Sequence, residues 1–408
     1  MTGSGVPGAA PRGRARVAWM IGLLSLTAGA GVVLLAIGAV LDPGLNAFTL
    51  RSSLVWAPIG PHLVVLSLVA LALALISGRH GARAMARVAA VIASVALAAS
   101  AAITGRIAWT IHAAGGAVDP LAAILVSPIA LGGPDRRETY TTVEGVPLAI
   151  SIYDAAPRGR GPAPVFLYIH GGGWVSGTAD GMAAYARWFA DHGWLVLSVE
   201  YRLATAERPT WDKAPADVAC ALVWAAANAA RLGGDATHIV VFGESAGGNL
   251  AINLAYAAVT GEARSGCGGE VPMPAAAVAV YPVVDPQAAY DHPVPSSIAS
   301  PKAFITAYLG GTPQAYPDRM RAISSATYLS GKAPRTLILA PERDVLIPPA
   351  GVYRFVEQAR AAGVDVTLVR MPFANHGFDM SGLIRLPAAN SLGNQSRSII
   401  LNYLGRPQ

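Results

Sequence analysis

Val240-Val241-Phe242-Gly243-Glu244-Ser245-Ala246-Gly247-Gly248-Asn249-Leu250 joins an apolar run to an Ala-rich helical pattern through a Gly-x-Ser-x-Gly turn. That is how a strand enters a sharp elbow bearing a nucleophilic serine and leaves it as a helix. Glycines two residues either side of Ser245 suit such an elbow, because side chains there would strike the neighbouring strand or an incoming substrate. The first N–H groups of the following helix point at any negative charge that develops beside the serine. The pentapeptide alone is a weak signal, and its surroundings decide.

Outward from the elbow, apolar strands alternate with helical patterns. The strands are Val165–Ile169, Leu195–Glu200, Ile239–Phe242, Ala276–Tyr281, Thr336–Leu339 and Val366–Arg370. Helices are expected over Gly181–His192, Pro215–Arg231, Gly247–Thr260 and Pro349–Ala362, with one more near the C-terminus. Continuous apolar strands of this kind imply an α/β fold, a mainly parallel sheet with both faces covered. Thr139–Thr142 and Leu148–Tyr153 flank Glu144-Gly145 as an antiparallel hairpin. The soluble domain therefore runs from about Asp135 to Gln408, residues 135–408. One Pro-rich polar stretch, 285–328, breaks the alternation over the edge of the sheet where such folds bind ligands. It is either a lid or pocket wall, or a passive surface excursion.

A second chemical signal, Tyr168-Ile169-His170-Gly171-Gly172-Gly173-Trp174, follows the strand Val165–Ile169 directly. Ester cleavage builds negative charge on the carbonyl oxygen, and a Gly-rich turn lets backbone N–H groups approach it unobstructed. The turn lacks the Gly-x-Gly-x-x-Gly and Gly-Lys-Ser/Thr patterns of phosphate-binding loops. Together, His-Gly-Gly-Gly-Trp and Gly-Glu-Ser-Ala-Gly-Gly-Asn resemble the hormone-sensitive-lipase-like bacterial carboxylesterases of the α/β-hydrolase superfamily. The resemblance covers about Asp135 to Gln408 and implies oxyanion donors at the N–H groups of Gly172, Gly173 and Ala246. It casts His170 and Gly171 as supports of the loop, and Gly243, Glu244 and Gly247 as supports of the elbow. No cofactor is implied.

The chain order of that fold asks for an acid and a histidine downstream of Ser245. Asp344 follows the strand Thr336–Leu339, and His376 follows Val366–Arg370. The imidazole would take the serine proton, and the carboxylate would fix its tautomer. Glu342 is a rival acid and Asp285 a weaker one, one strand too early. His62, His80, His112, His192, His238 and His292 read as surface or packing groups. Trp174 and Trp211 either line the acyl pocket or pack in the core. No His-Glu-x-x-His or similar metal-ligand spacing occurs.

The first 130 residues differ in kind. The whole chain of 408 residues is 53% hydrophobic and 13% charged, too apolar for an ordinary soluble enzyme. Residues 1–16 are Gly/Pro-rich and basic, with no reason to fold. Val17–Leu41 can cross a bilayer, as can Leu54–Ile76 and about Val88–Ile111, residues 88–111. A cleaved signal peptide is the alternative for the first. Residues 112–134 form a linker, in which Leu121–Leu131 is apolar but too short to span and reads as interfacial. Arg106 reads as a snorkelling residue and Trp109 as an interfacial anchor. Arg12, Arg14 and Arg16 precede the first span, and Arg79, Arg83 and Arg87 separate the second from the third. Positive-inside logic then places the N-terminus in the cytoplasm and the domain after the third span outside it. The net charge of +6 needs no nucleic acid to explain it, since the arginines cluster beside the spans and no nucleic-acid motif accompanies them. Cys220 and Cys267 read as free thiols, with a disulfide open if the domain lies in an oxidising compartment.

The expected protein is thus a membrane-anchored serine esterase or lipase, with a lipid bilayer and a hydrophobic ester as its partners. An acyltransferase or amidase using the same triad is the enzymatic alternative, and a silent membrane scaffold the non-enzymatic one.

Overall fold

The computed structural model describes residues 10–125, 132–157, 161–294, 300–380 and 391–405, with side chains from Gly13 onward. The chain divides into two compact units. One holds residues 1–128 and 372–399, the other residues 129–371 and 400–408.

The second unit is built on eight strands: β1 Arg136–Val143, β2 Val146–Tyr153, β3 Ala163–Ile169, β4 Leu195–Val199, β5 Gly234–Glu244, β6 Ala276–Val280, β7 Thr336–Pro341 and β8 Val366–Met371. Their order is β1-β2-β4-β3-β5-β6-β7-β8. β1 and β2 pair antiparallel, as do β2 and β4, and every later pair is parallel. The hairpin between β1 and β2 turns on Glu144 and Gly145, both at positive φ, as a two-residue turn matched to strand twist requires. β1 and β8 are the edges, and β1 carries the charged Arg136, Arg137 and Glu138, which discourage edge-to-edge pairing.

The inner strands are apolar throughout because both faces are covered. Val165, Leu167, Ile169, Ile239 and Val241 face a core that includes Val218 and Leu222 of one helix and Leu250 and Leu254 of another. The opposite residues Phe166, Tyr168 and Phe242 meet Tyr185 and Phe189, with the Phe166 and Phe189 rings stacked at 4.4 Å. Truncating either stacked ring costs about 3–5 kcal/mol.

The first unit opens with α1 Ala10–Val40, α2 Ala47–Arg79, α3 Arg83–Ala113 and the short α4 Pro120–Ile124. α1 from Gly13, α2 and α3 are long and apolar enough to cross a membrane. Their packing is inverted relative to a soluble bundle. Ala70, Ala74, Ala89, Ala93, Ser25, Ser67 and Ser100 are buried, whereas Leu23, Leu24, Leu34, Leu68, Val69, Leu75, Val91 and Val95 are exposed. Small residues inside allow close helix approach, and large apolar ones outside match hydrocarbon. A Cβ on Gly29 would lie 3.2 Å from the Ala93 backbone. Ser25 Oγ donates to Ala70 O at 2.6 Å and Ser77 Oγ to Ala18 O at 2.7 Å.

Each helix outruns its apolar window. α1 begins at Ala10, so part of the N-terminal stretch expected to stay unfolded is helical, while residues 1–9 lie outside the described residues. Once a span has nucleated the helix, Ala and Arg extend it cheaply. α2 starts at Ala47, where Asn46 and Thr49 form a capping box. Of the expected interfacial segment Leu121–Leu131, residues 126–131 lie outside the described residues.

The remaining helices are α5 Ala183–Asp191, α6 Lys213–Asn228, α7 Ala246–Thr260, α8 Pro286–Asp291, α9 Pro301–Leu309, α10 Pro317–Ile323, α11 Pro349–Ala361, α12 Leu392–Gln395 and α13 Arg397–Leu404. The stretch 285–328 carries α8–α10 and a 3-10 turn at Ser325–Tyr328, joined by irregular chain, and residues 295–299 lie outside the described residues.

Two long-range pairings are not legible in composition. Cys220, buried in α6, is bonded to Cys267 in the loop after α7, with Cα atoms 5.4 Å apart, so the free-thiol reading is corrected. Pairing depends on which loop folds back onto α6, and Gly266 N donates to Ala216 O beside the bridge. Second, the described residues of 372–399 (372–380 and 391–399) fall in one compact unit with the N-terminal helices. Ala117 N donates to Ser398 Oγ, Asp119 N to Gln395 Oε1, and Asn375 Nδ2 to Ser53 Oγ at 2.7 Å.

Candidate active site

β5 ends at Glu244 and α7 begins at Ala246, leaving Ser245 at φ 55° and ψ −120°. A non-glycine residue holds that conformation only when its surroundings over-determine it. Ser245 N donates to Val280 O, while its carbonyl accepts from Asn249 N and Val283 N. The flanking glycines have no alternative: a Cβ on Gly243 would lie 2.2 Å from Gly247 O, and one on Gly247 2.1 Å from Ile169 O. The result is a serine side chain raised above the end of the sheet, with the N-terminus of a 15-residue helix directly behind it.

The loop after β3 runs beside this elbow. A Cβ on Gly171 would meet Ser245 Cβ at 3.2 Å. Glu244 Oε1 accepts from Gly171 N at 2.9 Å, tying loop to elbow. Gly172 and Gly173 sit at φ 112° and 63°, where a side chain would be strained. Among the described residues no hydrogen bond within the chain occupies the N–H groups of Gly172, Gly173 or Ala246.

His170 supports the loop. Its ring stacks on Tyr201 at 4.4 Å, Tyr201 Oη donates to the His170 carbonyl, and its Nδ1 lies 2.7 Å from Gly171 O. Burial pushes its pKa down to about 4, against the opposing pull of the Gly171 carbonyl, so the ring is neutral at physiological pH. Glu200 lies 3.9 Å from Nε2, and burial raises its own pKa against the Ala179 N–H and Arg137.

Trp174 is buried and lies flat on Tyr308 of α9, ring centroids 4.6 Å apart. Phe304 of the same helix fills the space a Cβ on Gly173 would need. α9 thus walls the loop, and Phe304 and Tyr308 are neighbours of the candidate site that pattern reading missed. Their only signal was two aromatics a helical turn apart in a Pro-rich stretch. Trp211 lines a cavity of about 180 Å³ together with Val218, Leu250 and Tyr308.

Asp344, buried after β7, accepts from Leu346 N and Ile347 N, both at 2.9 Å to Oδ1. Glu342 is exposed. Asp285 is committed elsewhere, capping α8 through Ala288 N and pairing with Arg354 at 2.8 Å. His376 is half-buried on the loop after β8, its N–H donating to Asn375 Oδ1 at 2.7 Å. That loop belongs to the first unit and Asp344 to the second.

Residues 166–380 match the family model of the alpha/beta hydrolase fold, more than half of the chain, and the protein belongs to that family. Among curated relatives, esterase LipC of Mycobacterium tuberculosis is 33% identical over 254 residues, covering 60% of this chain and 59% of the relative. A probable carboxylic ester hydrolase of the same organism, LipM, is 31% identical and covers 55% and 52%. The chain therefore spans under two-thirds of these relatives. Of solved structures, esterase 2 of Thermogutta terrifontis phosphonylated by sarin is 25% identical with a TM-score of 0.54, covering 66% of this chain and 92% of that one.

Proposed function

We propose that the protein is a membrane-anchored serine carboxylesterase or lipase that cleaves hydrophobic esters through an acyl-enzyme on Ser245. The observation that carries this is a serine on a strained elbow, beside a Gly-rich loop in which the N–H groups of Gly172 and Gly173 have no partner among the described residues. Ser245 Oγ attacks the ester carbonyl as His376 takes its proton, with Asp344 fixing the imidazole. The oxyanion is met by the N–H groups of Gly172, Gly173 and Ala246, each worth about 3 kcal/mol in the transition state. His376 then protonates the leaving alcohol, and water activated by the same ring releases the acid. Asp344 suits its part because Leu346 N and Ile347 N hold its carboxylate as an acceptor. His170 is unsuited to be the base, being packed against Tyr201 and beneath the loop.

The relatives' names, esterase and carboxylic ester hydrolase, point the same way. So does the neighbour's phosphonylation by sarin, an electrophile that captures an activated nucleophile. The inverted packing of α1–α3 supports a bilayer and thus a hydrophobic substrate. The arginine pattern orients the N-terminus to the cytoplasm, and the Cys220–Cys267 bridge agrees with a hydrolase unit outside it.

The test is to label full-length protein with a fluorophosphonate and assay acyl esters of graded chain length. Labelling lost in Ser245→Ala, with rates rising with acyl length, is expected. Labelling that persists in that variant, or alcoholysis that outruns hydrolysis, refutes the assignment.

A further inference from the structure

The histidine loop is fastened to a helix from the far end of the sequence. Ser53 lies in the second turn of α2, buried, and its hydroxyl donates to Leu50 O at 2.7 Å. That leaves an oxygen lone pair facing Asn375 Nδ2, which donates to it at 2.7 Å. Asn375 is buried as well, and the other end of its amide accepts from His376 N at 2.7 Å. One side-chain amide therefore bridges a helix hydroxyl and the backbone of the histidine. With Ser53 and Asn375 both buried, water cannot readily replace the bond between them if it is lost.

The rest of the loop is tightly turned around this bridge. Phe373 and Gly377 sit at positive φ, Phe378 N donates to Asn375 O, and Met380 N to Gly377 O. α12 presses on it so closely that a Cβ on Gly393 would lie 2.0 Å from Phe378 O. A loop after a strand is ordinarily mobile. This one is held from a helix whose start is capped and whose neighbouring turns are buried.

We propose that Ser53 is a positioning residue for His376, so that a helix read as a membrane span sets the placement of the catalytic base. The inference rests on His376 being that base. Misplacing a general base by even one ångström slows the chemical step while leaving ground-state binding largely intact.

The experiment uses full-length protein in detergent with a chromogenic ester. The variants are Ser53→Ala, Ser53→Thr, Ser25→Ala and His376→Ala. Ser25→Ala is the control, since it removes a buried hydroxyl-to-carbonyl bond within the same bundle without touching the loop. Ser53→Ala is expected to lower kcat about tenfold with KM within about twofold. Fluorophosphonate labelling should slow in parallel. Ser53→Thr, which keeps the hydroxyl, should recover most of the rate, and Ser25→Ala should keep wild-type kcat. An unchanged kcat in Ser53→Ala overturns the inference, as does an equal loss in Ser25→Ala, which would mark general damage. Full activity in His376→Ala overturns the underlying assignment of the base and the inference with it.

Discussion

Reducing the bridge between Cys220 and Cys267 should destabilise the hydrolase unit by an amount set by the loop it closes. The two cysteines are 47 residues apart in sequence, and the loop contains the whole of α7 with the elbow before it. Cross-linking a loop of that length removes about 14 cal/mol/K from the unfolded ensemble, or about 4 kcal/mol at 25 °C. In a unit of this size each kcal/mol moves the thermal midpoint by about 2–4 °C, so a fall of about 10 °C is expected. Cys220→Ala with Cys267→Ala should reproduce the shift, and reductant should have no further effect on that variant. The assay is thermal unfolding in detergent with and without dithiothreitol, thiol count confirmed by mass. An unchanged midpoint in fully reduced protein would refute the reasoning. The same chemistry reports on compartment: protein taken from cells without reductant should resist alkylation at both cysteines.

Three further outcomes follow from single contacts. Asp217 is fully buried and accepts from Arg202 N, Nε and Nη2, so Asp217→Ala should cost about 2 kcal/mol in thermal stability, since Arg202 keeps only Glu144 at 3.5 Å as a charged partner. His170 binds a proton near pH 4 when folded and near 6.5 when unfolded, so the unfolded chain carries the extra proton between those values. Stability should therefore fall as pH is lowered from about 6.5 towards 4, by about 3 kcal/mol in all, and His170→Gln should flatten that part of a midpoint-against-pH curve. Glu200 contributes with the opposite sign, but in both proteins alike. Gly247→Ala should abolish fluorophosphonate labelling, because its methyl would lie 2.1 Å from the Ile169 carbonyl and the elbow has to open to admit it. Labelling at the wild-type rate would contradict the packing described.

What pattern reading saw was local. Strand composition, the hairpin at Glu144-Gly145 and the two Gly-rich turns are written in adjacent residues, and the hydrolase fold follows from them. The requirement for glycine at Gly243 and Gly247 was legible too, since a turn from strand to helix leaves no room for a Cβ there. What escaped was long-range. The partner of Cys220 depends on a loop returning from beyond α7, and nothing next to either cysteine announces it. Ser53 looks like a small residue in an apolar helix until Asn375 appears opposite it. Phe304 and Tyr308 sat in a stretch whose prolines suggested irregular chain, yet those prolines start helices. Helix bounds extend beyond the apolar stretches because hydropathy marks a slab of bilayer, and hydrogen bonding carries a helix past it.

The join between Ser53 and Asn375 also sets a timetable. The partners are 322 residues apart, so at ordinary elongation rates the ribosome needs on the order of half a minute to deliver the second after the first. The N-terminal bundle must wait that long for its closing piece, while the strands and the serine elbow can already have folded. A nascent chain would then carry the serine elbow before the loop of His376 is seated, so any chemistry that needs both waits until biogenesis is nearly complete.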